Sequence, residues 1–230
     1  MKRPPPPLSQ KLAEMTLALV AVAKSIRSVM DNNSNNLDKV FSFLDLLQKF
    51  RQVERVIYAC RNSDRKESDV EHSWQLTMLA WFIIDQDKLD LDLDKVIKYA
   101  LVHDLVEAYA GDTWAFNGSK DDKVAREEES LNKIKKEFGN FKELLKAIED
   151  YNNQVDKESV FVYALDKLEP IFHNYLDGGR IWRDTGISLQ HIKDYKREKI
   201  AKCPELVPYF ESLIRLLEEN KERIFDLLNP

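Results

Sequence analysis

His72, the adjacent pair His103-Asp104 and the distant Asp166 supply two imidazoles and two carboxylates. That mixture suits a divalent ion of the Mn, Co, Fe or Zn kind, with Mg also admissible, better than calcium, which prefers all-oxygen cages. Glu107 follows His103 by four positions and Asp104 by three, so on a helix it would share their face. A carboxylate there could take a proton from water that the ion has acidified. Asp112, just beyond Gly111, could orient that water or contact a sugar. Arg55 and Arg61 are candidate phosphate ligands, because a planar guanidinium matches two phosphate oxygens.

These residues need helices to bring them together. Apolar positions at three- and four-residue spacing predict helices over 8–30 and 37–58, separated by the polar turn 31–36 and preceded by an extended arm at Pro4 to Pro7. Ser68 with Glu71 three residues on reads as a capping box opening a helix to about Ile84, which would carry His72 in its first turns. Asp92 or Asp94 should cap the next helix, with His103-Asp104 near its far end and Gly111 as the stop. The run from Asp85 to Asp92 lacks the glycine and closing glutamate of a calcium loop.

Two charged surface helices, broken near Gly139-Asn140, are expected over 119–150. Asp166 falls in a helix from Lys157 to about Tyr175, between Ala164, Leu165 and Leu168, where an unpartnered carboxylate would be costly. Its bland reading is a salt bridge with Lys167 or an arginine. Arg180 to Gly186 reads as a loop, followed by helices over 188–202 and 205–228. His173 and His191 have no motif partners and read as structural, and Trp114, Trp182 and Arg183 as core or interface residues.

The chain has 230 residues, of which 43% are hydrophobic, enough for one substantial core. Six glycines among long amphipathic runs argue for an all-α fold. A net charge of -5 gives no basic field for long nucleic acid. The apolar run from Met15 to Ala23 is too short to span a bilayer, and the four prolines with Lys11 and Glu14 argue against a secretory leader. Two cysteines, Cys60 and Cys203, build no disulfide framework and fit a reducing cytoplasm, with Cys60 expected to be buried. Amphipathic terminal helices leave room for a homodimer.

The segments CRNSDRKESDVEHSW and ALVHDLVEAYAGD resemble the 5′-deoxynucleotidase-like branch of the HD-domain metal-dependent phosphohydrolases. The matching pattern is Arg61-Asn62, Glu71-His72, His103-Asp104 with Glu107, Gly111-Asp112 and Asp166. The resemblance implies a helical bundle whose ligands are His72, His103, Asp104 and Asp166, with Glu107 activating water, Asp112 as a second catalytic carboxylate and Arg55 on the phosphate. It implies one metal ion, since two-metal relatives use further histidines and none lies between 104 and 166 here. The implied substrate is a small phosphate ester, a nucleoside or deoxynucleoside 5′-monophosphate. The expected organisation is an N-terminal arm and helix over 1–36, an HD-domain core over 37–178 and a helical extension over 179–230. Two alternatives stand beside this: hydrolysis of a nucleotide pyrophosphate or triphosphate, and a non-catalytic binding protein stapled by its metal.

Overall fold

The computed structural model describes Lys24, 36–112 and 120–226. The expected arm at Pro4 to Pro7, most of the 8–30 helix, the turn 31–35, Trp114 and the end of the last helix at Leu228 lie outside the described residues. The chain divides into two units, 1–46 and 47–230. Residues 36–51 are helical (α1), and the two units meet within this stretch of sequence.

The second unit carries the candidate site. Past α1 a hairpin interrupts the helices, with β1 (Glu54–Tyr58) antiparallel to β2 (Lys66–Ser68). The expected helix to Tyr58 is therefore corrected. It ends at residue 51, and Arg55, Val56 and Ile57 alternate faces on a strand rather than following a helical stripe. The β-branched pair Val56-Ile57 fits a pleated surface once β2 is there to bond with it.

Among the described residues ten α-helices follow: α2 (Asp69–Asp87), α3 (Leu93–Val102), α4 (Glu107–Ala110), α5 (Lys120–Phe138), α6 (Lys142–Asn153), α7 (Lys157–Leu176), α8 (Arg180–Thr185), α9 (Leu189–Ile200), α10 (Val207–Glu219) and α11 (Lys221–Phe225). The all-α reading holds, apart from the short hairpin. Ser68 and Glu71 form the capping box, and Arg65 fixes Glu71 from the side at 2.8 and 2.6 Å. Asp92 caps α3 through the amides of Asp94 and Lys95.

The long helix α7 is the axis of the core and packs against α2, α3, α6, α9 and α10. It buries Phe161, Val162, Leu165 and Leu168 completely or nearly so, matched by Leu76, Ala80 and Ile83 of α2 and Val96 and Ala100 of α3. Pro170 lies inside α7 and has no N–H to return to the carbonyl of Asp166, four residues earlier. The expected loop at 180–186 is instead the six-residue helix α8, set between Gly179 and Gly186 in left-handed conformation. Trp182 is buried in it and stacks on Phe225, while Arg183 donates to the Gly178 and Ile224 carbonyls, so both are structural as expected. Cys203 is buried, but Cys60 is exposed in the hairpin turn, contrary to expectation. Among the described residues no helix is long and apolar enough to cross a membrane.

Gly179 is the tightest point of this scaffold. Its φ is +77°, and a Cβ there would run into the carbonyl oxygen of Ile224 and meet its Cγ2 at 2.7 Å. Gly179→Ala should therefore cost about 2–4 kcal/mol, combining left-handed strain with overpacking. Gly186→Ala, at φ +68° with open space around it, should cost only the strain, roughly 1 kcal/mol. Chemical denaturation of the two variants checks the contrast, which disappears if α8 and α11 are not packed this closely.

Candidate metal centre

Four elements deliver the chemistry-bearing side chains. His72 projects from the first turn of α2, which the capping box locks in place. His103 and Asp104 sit just past α3 in a turn, not within the helix as expected, and Glu107 opens α4 beyond them. The backbone N–H of Glu107 donates to the Asp104 carbonyl at 2.8 Å, which holds this turn closed. Asp166 comes from the middle of α7.

The structure brings His72, His103, Asp104 and Asp166 together: one ligand atom of each lies within 4.8 Å of all the others. His72 Nε2 is 3.1 Å from Asp166 Oδ1, and His103 Nε2 is 2.9 Å from Asp104 Oδ2 and 3.8 Å from Asp166 Oδ1. His103 Nδ1 donates to the Ala100 carbonyl at 2.9 Å, which leaves Nε2 facing these carboxylate oxygens. A ring nitrogen this close to carboxylate oxygens is satisfied by a proton or a metal ion between them, and His103 Nε2 is sealed from water with no hydrogen bond. The donor set therefore fits a divalent ion.

A second group, Asp69, Asp104 and Glu107, also brings its oxygens within 4.8 Å and shares Asp104 with the first. This trio offers oxygen alone, the preference of Mg or Mn. Asp69 is fully buried, and nothing in the sequence distinguished it from an ordinary acidic residue in a first helical turn.

Arg55 threads between the two groups. Its Nη1 lies 3.1 Å from Asp104 Oδ2 and 3.3 Å from Asp69 Oδ1, and its Nε is 3.3 Å from Glu67 Oε2. Burial opposes its charge, but Asp104, Asp166, Asp112 and Asp69 outweigh burial and raise its pKa. Arg61 lies elsewhere: its Nε donates to the Leu176 carbonyl, and among the described residues it makes no ion pair with the cluster. Asp112 is half-buried past Gly111, near enough for its charge to act on Arg55 and Asp69. Lys167 pairs with Asp166, so the bland partner expected for that carboxylate is present alongside the two histidines.

The carboxylates split into two kinds. Burial works against the charged form of Asp104, yet the neighbouring His103 and Arg55 hold it well below the usual range; Lys167 and the two histidines do the same for Asp166. Asp69 is pushed up to about 6 by burial and then by Asp104, and Glu67 up to about 7 by burial and then by Glu169. The ligand pair thus stays ionised while its neighbours tend toward neutrality.

Residues 47–207 match the family described as HD domain. The chain belongs to the HD-domain family. Among relatives, the human protein named 5′-deoxynucleotidase HDDC2 is 34% identical over 135 residues, covering 57% of this chain and 65% of its own length. The zebrafish (Danio rerio) protein of the same name is 33% identical over 144 residues, covering 60% of this chain and 70% of its own. A crystal structure described as a predicted metal-dependent phosphohydrolase, from Magnetospirillum magnetotacticum MS-1, superposes with a TM-score of 0.69 at 25% identity, covering 80% of this chain and 96% of that one. The matching alignment spans just under two thirds of the human relative. As HD-domain proteins include metal-dependent phosphohydrolases, membership of the family carries the expectation of a divalent ion.

In this HD domain, protonation of His72 competes with an ion. Burial and the Arg55 charge oppose a cationic ring, but the neighbouring carboxylates of Asp166 and Glu169 push its pKa up to about 9. A histidine raised in this way stabilises the protein without the ion fully below its ordinary value near 6.5, and that contribution is lost as pH climbs through about 9. Metal uptake must displace this proton. At pH 7 binding should therefore release about one proton, and affinity should climb by up to tenfold per pH unit before levelling off above about 9. Calorimetric titration with Mn(II) in buffers of different ionisation enthalpy measures the release; pH-independent binding without it would remove His72 from the ligand set.

Proposed function

We propose that this chain is a metal-dependent phosphomonoester hydrolase acting on nucleoside or deoxynucleoside 5′-monophosphates. The observation that carries the reading is the convergence of His72, His103, Asp104 and Asp166, with His103 Nε2 2.9 Å from an Asp104 carboxylate oxygen. A divalent ion held by these four would act as a Lewis acid toward the phosphoryl group and lower the pKa of water. Glu107, 4% exposed and beside Asp104 and Asp69, would accept the proton of the attacking water. Arg55, rather than Arg61, is the cation we place on the phosphate, with Asp112 near enough for its charge to act on Arg55. The names of the relatives support a nucleotide as the ester.

One ion is the minimum that this donor set calls for. The carboxylate trio favours a second nuclearity reading, with another cation sharing Asp104. Self-association is supported by the exposed stripe Trp74, Met78, Trp81 and Phe82 on α2, and a cytoplasmic location by two free cysteines.

Protein stripped of metal and reloaded with Mn, Co, Mg or Zn is assayed against nucleoside mono-, di- and triphosphates. The reading expects inorganic phosphate from the 5′-monophosphates alone. Pyrophosphate or triphosphate release would favour the first alternative, and tight metal binding with no turnover the metal-stapled binding protein.

A further inference from the structure

Behind His72, on the side away from Asp166, lies a buried group that the reaction above does not use. Glu169 is 5% exposed and Glu67 fully buried. Glu169 stands three residues after Asp166 on α7, so the two carboxylates project from one helix face and flank the imidazole of His72, one at each ring nitrogen. His72 Nε2 is 3.1 Å from Asp166 Oδ1, and His72 Nδ1 is 3.3 Å from Glu169 Oε2. Neither Nδ1 nor Oε2 has a hydrogen-bond partner, and both are sealed from water. Each is therefore the other's means of satisfaction, since a small ring rotation closes the contact.

Glu67 is the rival acceptor, and it is weaker. Its Oε2 is 4.0 Å from the same nitrogen and already faces Arg55 Nε at 3.3 Å, while its Oε1 accepts from Gln75 Nε2 at 2.5 Å. The remaining oxygen of Glu169 faces His173 Nδ1 at 3.8 Å, and that ring is anchored by its Nε2 donating to the Tyr58 carbonyl at 2.6 Å. The chain of contacts thus runs from the candidate metal ligand to the β-hairpin.

We infer that Glu169 is a positioning residue for His72: it accepts the Nδ1–H, fixes the tautomer that leaves the Nε2 lone pair toward Asp166, and stops the ring from turning. A partner of this kind orients a ligating histidine and raises its basicity. His103 obtains the same service from a neutral group, the Ala100 carbonyl, so the two imidazoles differ in the charge behind them. The inference rests on the metal-site reading above.

The test uses the full-length protein with Co(II) and Zn(II) as probes, in wild type, Glu169→Gln, Glu169→Leu and His103→Ala. Affinity is read by chelator competition, and the His72 tautomer by imidazole nitrogen NMR of the Zn(II)-loaded protein. Glu169→Leu should weaken Co(II) binding roughly 10- to 100-fold, and Glu169→Gln, which keeps an acceptor oxygen, should restore much of it. The wild-type His72 Nδ1–H signal should broaden or shift in the Leu variant. If Glu169→Leu does not fold, the isosteric Gln variant still decides, through an altered Nδ1–H signal and a measurable drop in affinity. Wild-type affinity and an unchanged His72 signal in both variants overturn the inference while leaving the metal site intact. Loss of binding in none of the variants, His103→Ala included, would instead sink the metal-site reading itself.

Discussion

Asp166→Asn protein is expected to fold, to bind divalent ions too weakly to retain them through gel filtration, and to lose phosphate release by roughly 10³-fold or more, about 4 kcal/mol in the barrier. The substitution keeps the shape and an acceptor oxygen for His72 Nε2, but removes the negative charge that burial alone would not have tolerated. The local cost falls on Lys167, which loses its charge partner and is 29% exposed, so solvent can take over part of that role. Far-UV circular dichroism and metal analysis separate the outcomes. A variant that keeps its ion and turns over normally would leave α7 outside the site.

Glu107→Gln should behave differently. Its carboxylate is proposed to accept a proton rather than to hold the first ion, so the variant should retain metal at the histidine cluster while turnover falls roughly 10²- to 10⁴-fold. The loss should appear in kcat with little change in KM, because the amide still fills the same buried place beside Asp69 and Asp104. A variant with undiminished kcat would return Glu107 to a structural role. Loss of one metal equivalent together with kcat would favour the carboxylate trio as a second cation site.

The candidate ligands were legible because their order along the chain is unusual, and because apolar neighbours such as Leu165 and Leu168 mark Asp166 as buried. Capping at Ser68 and Asp92 was legible for a local reason: the side chains bond amides two or three residues away. The hairpin was not, since Glu54–Tyr58 becomes a strand only through its pairing with Lys66–Ser68, a contact that helical periodicity cannot see. The apolar spacing of 96–101 also carries a helix on through His103 and Asp104, whereas α3 ends at Val102. Glu67, Asp69 and Glu169 escaped notice because a buried acid and a surface acid look alike in sequence. Only the fold shows that Arg55, Gln75 and His72 surround them. Arg61 illustrates the converse, a residue within the matching segment whose side chain is spent on the Leu176 carbonyl.

The most direct test of the site is anomalous diffraction from crystals of the protein grown with Mn(II). A peak roughly 2.0–2.3 Å from a nitrogen of each of His72 and His103 and an oxygen of each of Asp104 and Asp166 is the predicted result. Anomalous density confined to other side chains, with none among these four, would contradict it.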